Sequence, residues 1–264
     1  MPLNAISSLT RPGTSSALRL ANLQFNTQPL IVHAHGHHDH KPHWEPIRRA
    51  FFALEPVQLA AHPDLTIITC NNGHPSMGLF ERGLDHLGLG YRVGGAGLTP
   101  WVNARDKPKA IQILLQEVST PYTVYADSRD ALALDHPGNL IDIFETSFDA
   151  DLVFGADRMH WPPVKRFKQF ERKIAQDQPG DFHFLNGGLW MGRTAFCRAF
   201  FAEAAALPPV SEAPTAEQGI LRELLARHYP RVALDYTCRM FQNLGFVIAP
   251  IFRFDVTVRT HTGP

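Results

Sequence analysis

The chain has 264 residues, of which 25 are basic and 25 are acidic. This length allows one large α/β domain or two small ones, and a hydrophobic content of 44% supports a sizeable core. Because the charges balance, the sequence provides no overall field that would attract nucleic acid or an anionic membrane. We therefore expect no nucleic-acid partner.

Three isolated cysteines, Cys70, Cys197 and Cys238, indicate reduced thiols and argue against a disulfide scaffold. The polar segment at residues 1–19 lacks the apolar region of a signal peptide. No run of residues approaches the roughly 18 consecutive apolar positions that a membrane-spanning helix needs. These features predict a cytoplasmic protein without a membrane span.

Predicted strands and helices alternate along most of the chain. Residues 1–27 are predicted to be an N-terminal tail, and residues 28–264 to be a single domain. Strand patterns cover residues 30–32, 65–70, 122–126, 152–154 and 182–191, and helical spacing covers residues 79–87, 106–118 and 140–148. A further helix is expected after Thr215, which forms a capping-box pattern with Gln218. This alternation predicts an α/β sandwich with a largely parallel sheet, whose ligands bind at the carboxyl ends of strands.

Two aspartates, Asp127 and Asp130, directly follow the apolar run at residues 122–126. Carboxylates at the end of one strand can converge on a hard divalent cation such as Mn²⁺ or Mg²⁺, which prefers oxygen ligands. In a functional interpretation, the ion bridges the phosphates of a nucleotide-sugar and stabilises charge on the leaving group. The alternative is structural, because aspartates commonly end strands and begin turns.

Several sequence blocks around this pair follow one another in a characteristic order. They are L-T-I-I-T-C at 65–70, W…K at 101–107, Y-A-D-S-R-D at 125–130, L-V-F-G-A-D…W-P at 152–162, F-L-N-G-G…G at 184–192 and L-D…M-F-Q-N-L at 234–244. Together they resemble the glycosyltransferase domain of the procollagen lysyl hydroxylase and collagen glycosyltransferase group. The resemblance implies the GT-A fold, a three-layer α/β/α sandwich with a mostly parallel central sheet. It also implies metal-dependent transfer of a hexose from a UDP-sugar donor to a hydroxyl-bearing acceptor, whose identity the sequence leaves open.

The resemblance further implies a set of site residues. Asp127 and Asp130 would bind Mn²⁺ or Mg²⁺, together with one histidine. The nucleotide would contact Trp101, Lys107, Ser128 and Arg129, and the sugar and acceptor side would be lined by Asp157, Asn186, Glu217 and Gln218. Among the latter, Asp157 and Glu217 are the candidate catalytic bases, because an inverting transferase needs a carboxylate to deprotonate the acceptor hydroxyl.

Each of these residues also has a structural alternative. Trp101 is equally well explained as a core aromatic residue, Lys107 as a residue of the helix surface, and Arg129 as a solvated loop residue. Asp157 and Asn186 suit turns at strand ends, Glu217 suits the positive end of a helix dipole, and Gln218 suits the capping box.

The third metal ligand has more than one candidate. His33, in L-I-V-H-A-H-G, gives the better match to the V-H-G-N-G segment of the family but lies upstream of the first strand of the matched blocks. His261 lies at the family's position and matches poorly, and His35 is a further candidate. We favour His33 because its segment gives the better match. Its upstream position is no obstacle, because only the fold must bring the imidazole to the carboxylates.

A competing motif lies in the same segment. Residues 35–40 have the H-x-H-x-D-H pattern of di-zinc hydrolases of the metallo-β-lactamase fold. In this interpretation the protein is a hydrolase, and zinc is bound by His35, His37, Asp39 and His40. A histidine-rich loop that binds metal only opportunistically is the remaining alternative.

Overall fold

The computed structural model describes residues 14–248 and 250–260, which form eleven β-strands and seven α-helices. The strands are β1 (Thr14–Asn22), β2 (Ile31–His33), β3 (Leu65–Cys70), β4 (Arg92–Gly94), β5 (Tyr122–Asp127), β6 (Ala131–Ala133), β7 (Leu152–Asp157), β8 (Phe184–Arg193), β9 (Val232–Asp235), β10 (Phe241–Asn243) and β11 (Phe252–Thr260). The helices are α1 (Trp44–Phe52), α2 (Leu79–His86), α3 (Asn103–Gln116), α4 (Leu140–Ser147), α5 (Lys165–Ile174), α6 (Thr194–Ala206) and α7 (Glu217–His228).

A six-stranded sheet forms the centre of the fold, in the order β4-β3-β5-β8-β7-β9. Its pairs are parallel except for the two pairs of β8, so five strands run in one direction and β8 runs against them. Strands such as β3, L-T-I-I-T-C, are rich in β-branched and apolar residues that suit a sheet covered on both faces. The mostly parallel sheet predicted from the alternating pattern is therefore observed.

Two apolar cores cover the two faces of this sheet. On one face, buried residues of α1, α2 and α4 pack against alternate positions of the strands, such as Val124 and Val153. On the other face, buried residues of α3, α6 and α7 pack against the intervening positions, such as Tyr125 and Phe154. Successive side chains of a strand point to opposite faces, so this alternation produces three layers, helix, sheet and helix.

A second, three-stranded sheet places β2 between β10 and β6. The pairing is parallel to β10, with His33 opposite Asn243, and antiparallel to β6, with His33 opposite Ala131. Because β6 begins directly after Asp130, this ladder fixes the distance between an upstream histidine and the turn that follows β5. The site described below depends on this small sheet.

The prediction of an N-terminal tail over residues 1–27 is wrong for the part that the structure describes. Thr14–Asn22 forms strand β1, which pairs along its whole length with β11, antiparallel, with Leu20 opposite Phe254. Leu18 and Leu20 are buried in the core. The sequence offered no sign of this pairing, because the partner strand lies more than two hundred residues away along the chain.

Within the described part of the chain, no helix combines the length and apolar character needed to cross a membrane.

Candidate metal centre and cavity

A cavity of about 570 Å³ opens at the carboxyl edge of the central sheet. Parallel strands β5 and β7 end at this edge with Asp127 and Asp157, and the antiparallel β8 between them enters here with Asn186 close to its start. The cavity brings together seven of the predicted site residues: His33, Asp127, Asp130, Asp157, Asn186, Glu217 and Gln218. The convergence follows from the topology, because ends of parallel strands meet at one edge.

The backbone of His33 is fixed on both sides by hydrogen bonds. Its carbonyl oxygen accepts from the N–H of Leu244 at 2.9 Å, and the next N–H, of Ala34, donates to the carbonyl oxygen of Asp130 at 2.7 Å. The second bond directly links the histidine segment to the turn that carries the aspartate. The imidazole is therefore held beside the carboxylates by the backbone as well as by its own contacts.

The imidazole of His33 presents one particular nitrogen to the carboxylates. Its Nδ1 lies 2.9 Å from Oδ1 of Asn243, an atom that only accepts, so Nδ1 carries a proton and donates it. Nε2 then faces the two aspartates, 3.3 Å from Oδ1 of Asp130 and 3.7 Å from Oδ2 of Asp127. A partner on the second ring nitrogen is how proteins fix the tautomer of a metal-binding histidine.

These three side chains fit a divalent metal ion. One ligand atom from each of His33, Asp127 and Asp130 lies within 4.8 Å of the others. Carboxylate oxygens suit Mn²⁺ or Mg²⁺, and imidazole nitrogen suits transition metals, so the mixed set favours Mn²⁺ over Mg²⁺. His261, the other distal candidate, lies outside the described residues.

The charges within this group shift the pKa values of His33 and Asp130 in the metal-free protein. Burial alone would lower the pKa of His33, but the charges and hydrogen bond of Asp130 and the charge of Asp127 outweigh it and raise the pKa from 6.5 to about 9. Burial would raise the pKa of Asp130, yet the His33 imidazolium overcomes this and lowers it to about 2. A proton on His33 therefore occupies the place that a metal ion would take.

Metal binding should consequently be coupled to proton release. Because the pKa of His33 is about 9, an ion that binds near pH 7 must displace close to one proton, and its apparent affinity should rise about tenfold per pH unit until that pKa. Isothermal titration with Mn²⁺ in buffers of different ionisation enthalpy measures the released protons. An observed heat that does not depend on the buffer would contradict this arrangement.

The same shift sets the sign of the pH dependence of the metal-free protein. The folded pKa of His33 lies above its ordinary value of 6.5, so the contribution of its proton to stability is complete below pH 6.5 and is lost as the pH rises through about 9. For Asp130, whose pKa is lowered to about 2, the contribution is present above the ordinary pKa and is lost as the pH falls through about 2.

Asp127 uses its two oxygens differently. Oδ1 accepts a hydrogen bond from the hydroxyl of Tyr125 at 2.6 Å and lies 2.7 Å from Nζ of Lys107. Oδ2 is the oxygen that faces His33. One carboxylate oxygen is thereby held by contacts within the protein, and the other faces the position proposed for the metal ion.

Lys107 is buried between two carboxylates, with only 2% of its side chain exposed. Its Nζ lies 2.7 Å from Asp127 and 2.8 Å from Oε1 of Glu217. Burial lowers the pKa of Lys107, but the two carboxylates overcome this and raise it above its ordinary value. Lys107 therefore does not lie on the helix surface, which was its structural alternative: it links Asp127 to Glu217 in the first turn of α7.

Asp157, a predicted catalytic base, is almost fully buried and has both oxygens occupied. Oδ2 lies 2.9 Å from Nε2 of His35 and accepts from the amide of Asn186 at 3.0 Å, while Oδ1 accepts from the N–H of Met159 at 3.1 Å. Burial would raise the pKa of Asp157, but His35 and these hydrogen bonds lower it. The carboxylate therefore orients His35 and Asn186 along the wall of the cavity.

Gln218 does not form the predicted capping box. Helix α7 has Ala216 as its N-cap and no side-chain capping bond, so Thr215 is not the cap. Instead, Oε1 of Gln218 accepts from the N–H of Gly187 at 2.7 Å, and its Nε2 donates to the carbonyl oxygen of Trp161 at 2.8 Å. The side chain thus ties β8 to the exposed Trp161 loop at the mouth of the cavity.

The other three predicted nucleotide contacts, like Lys107, are not among the residues that line this cavity. Ser128 is fully buried and donates to Oε1 of Glu81 at 2.6 Å. Arg129 is exposed and donates to the carbonyl oxygen of Ser76 at 2.9 Å. Trp101, which is half-buried, donates from its indole to Asn103 at 2.9 Å, next to the wall of the cavity.

The H-x-H-x-D-H segment is divided rather than assembled as one metal site. His35 contacts Asp157, whereas a separate group of His37, His38 and Asp39 is exposed. His40 stacks on Phe246, with ring centroids 4.2 Å apart. The arrangement differs from the zinc-hydrolase prediction, in which His35, His37, Asp39 and His40 act together.

Some functional partners were missed from the sequence. Asn243 was noticed only as part of a matched block, although it fixes the tautomer of His33. His35 was considered only as a metal ligand, and its pairing with Asp157 had no local signal because 122 positions separate them in the chain. Glu81, which holds Ser128 and Asn71, is buried in α2 and looks like an ordinary helix-surface residue in the sequence.

A larger cavity of about 690 Å³ lies at the opposite edge of the sheet. Four of its five charged lining residues already pair with one another: Arg193 contacts Glu145 and Asp151, and Arg231 contacts Asp151, whereas Asp149 is exposed. Most of its charge is therefore neutralised by neighbouring side chains, and among the described residues no group that could hold a metal ion lies there. The carboxyl edge is the better candidate site.

A scan against protein-family models finds no match for the chain, and neither does a search of curated proteins.

Proposed function

We propose that the protein is a metal-dependent glycosyltransferase of GT-A type, which transfers a hexose from a UDP-sugar to a hydroxyl-bearing acceptor. The observation that carries the proposal is the position of His33, whose Nε2 lies 3.7 Å from the carboxylate of Asp127 and 3.3 Å from that of Asp130. A histidine from far upstream was selected as third ligand by its resemblance to the family's segment alone. Its position beside the carboxylates supports the resemblance to this family and the metal-dependent sugar transfer that the resemblance implies.

In this proposal Asp127, Asp130 and His33 hold Mn²⁺ or Mg²⁺. When bound, the ion supplies Lewis-acid stabilisation of the negative charge on the departing diphosphate. The cavity, at about 570 Å³, lies within the range of sites that enclose small ligands.

The residues of the chain itself position the reactants. Lys107 keeps Asp127 and Glu217 in place by contacting both carboxylates, and Asn103 donates to the second oxygen of Glu217 at 2.9 Å. Glu217 is thereby a positioning residue rather than a free base. Asp157, through its contacts with His35 and Asn186, shapes the sugar and acceptor side.

The setting of the protein is also a proposal. Cys70, Cys197 and Cys238 are all buried and free of disulfides, which supports a reducing compartment such as the cytoplasm.

UDP should raise the melting temperature of the protein only when a divalent metal is present. A ligand at a hundred times its Kd stabilises the folded state by about 2.7 kcal/mol, which corresponds to a rise of several degrees for a chain of this size. We would measure melting curves with UDP, with Mn²⁺ and with both, using chelator as the reference.

The matched variants are Asp130→Asn, which removes a proposed ligand, and Asp149→Asn, which removes an exposed carboxylate elsewhere. The joint effect of UDP and Mn²⁺ should disappear in the first and persist in the second. If UDP with Mn²⁺ produces no shift and no heat of binding in the unaltered protein, the proposed function is wrong.

A further inference from the structure

A second group of metal-binding side chains lies at the rim of the cavity. We call His37, His38 and Asp39 the rim cluster; one ligand atom from each lies within 4.8 Å of the others. Their side chains are 60%, 78% and 66% exposed, in contrast to the nearly buried His33. His37 also lines the cavity, so the cluster stands where a ligand would enter.

The distances within the rim cluster are those of ligands around a small ion. Nδ1 of His37 lies 3.2 Å from Oδ2 of Asp39, and Nε2 of His38 lies 2.9 Å from Oδ1 of the same carboxylate. A tetrahedral Zn²⁺ with bonds of about 2.0–2.1 Å separates its ligand atoms by roughly 3.3 Å. The side chains therefore need only small rotations to surround an ion, and these are easy because all three are exposed.

The backbone beneath the rim cluster is ordered by hydrogen bonds. His38–His40 forms a short 3-10 helix, in which the N–H of His40 donates to the carbonyl oxygen of His37 at 3.0 Å. The carbonyl oxygen of His40 accepts a hydrogen bond from the N–H of Phe246 at 2.7 Å, and the imidazole ring of His40 stacks on the ring of Phe246. Anchoring of this kind lowers the backbone entropy that would be lost when an ion binds.

The types of ligand atom distinguish the rim cluster from the interior centre, the group formed by His33, Asp127 and Asp130. Two imidazoles and one carboxylate favour Zn²⁺ and similar transition metals, whereas Mg²⁺ prefers oxygen ligands. Three protein ligands with high exposure leave a fourth position open to water or to an incoming group. The long hydrogen bond from the N–H of Asp39 to Nδ1 of His37, at 3.5 Å, is weak enough for a metal to replace.

We propose that the rim cluster is a second metal site, which binds one Zn²⁺-class ion through His37, His38 and Asp39 at the mouth of the cavity. The bound ion adds positive charge at the entrance and keeps an exchangeable position for an anionic group. The site is independent of the interior centre and of the proposed transferase activity.

The test uses the full chain carrying Asp130→Asn, so that the interior ligand set is incomplete, and Zn²⁺ as the probe. Calorimetric titration should find one ion per chain, and Co²⁺ should give the absorption spectrum of a site with nitrogen and oxygen ligands. Adding His38→Ala or Asp39→Asn should lower the Zn²⁺ affinity tenfold or more, since loss of even an outer-shell partner costs ten- to a hundredfold.

The control is His74→Ala in the same background, because His74 is an exposed histidine outside the cluster. It should leave both stoichiometry and affinity unchanged. Equal losses in the control and the cluster variants, or Zn²⁺ binding that survives His38→Ala and Asp39→Asn, would overturn the proposal. Since the altered side chains are exposed, melting temperatures should stay the same without metal, so misfolding is readily excluded.

Discussion

Replacing Gly188 with alanine is expected to abolish tight binding of Mn²⁺. A Cβ atom at this position would lie 2.3 Å from Cε1 of His33 and 2.9 Å from Oδ2 of Asp127. The imidazole cannot move aside, because Nδ1 of His33 is hydrogen-bonded to Asn243 and the backbone of His33 is part of β2. We expect Mn²⁺ affinity, measured by calorimetry, to fall by roughly a hundredfold or more, with a loss of about 1–3 kcal/mol in stability from overpacking.

The neighbouring Gly187→Ala is the matched control. Its Cβ would approach the end of the flexible Leu221 side chain at 2.7 Å, on the side of the strand away from His33. This variant should lose some stability yet bind Mn²⁺ normally. Normal Mn²⁺ binding by Gly188→Ala would show that the ion does not occupy the space between His33 and Asp127.

Replacing Lys107 with methionine should cause the largest loss of stability among single changes at the site. Lys107 is 2% exposed and contacts Asp127 and Glu217, whose side chains are 17% and 10% exposed. Removing one partner of a buried ion pair leaves uncompensated charge and typically costs 3–5 kcal/mol. Urea unfolding of the metal-free protein should show a loss of about this size.

Lys109→Met is the control, because Lys109 is an exposed lysine on the same helix, α3. Its unfolding free energy should change by less than about 0.5 kcal/mol. Mn²⁺ should restore part of the stability that Lys107→Met loses, since an ion beside Asp127 returns positive charge. A similar small change in both variants would mean that the buried lysine does not neutralise these carboxylates.

The parts of the fold that the sequence predicted share a local cause. Strands β3, β5 and β7 are apolar runs that end at turn residues, so their positions and their role at the carboxyl edge could be predicted. The placement of Asp127 and Asp130 follows directly from the end of β5. Pairing of β1 with β11 had no such signal, because it depends on long-range contacts alone.

Within the site, types of residue were easier to predict than their partners. Lys107 lies on a helix with a clear apolar stripe, and a charged residue there suggests solvent; only tertiary packing places it between two carboxylates. Gln218 satisfied a capping pattern, but the N–H of Gly187 is a partner from another element that the pattern cannot include. His33 was chosen as the candidate third ligand because its neighbours in sequence, rather than its contacts, carried the resemblance.

The pairing of His33 with Asn243 also has a consequence for how the protein folds. The two residues are 210 positions apart, so the loop between them must close before the imidazole is oriented, and closing long loops costs entropy that later contacts must repay. Contacts of such high sequence separation slow folding and form with the completed topology. The group of His33, Asp127 and Asp130 is therefore expected to assemble late in folding, and the onset of the proposed metal binding would report on that late step.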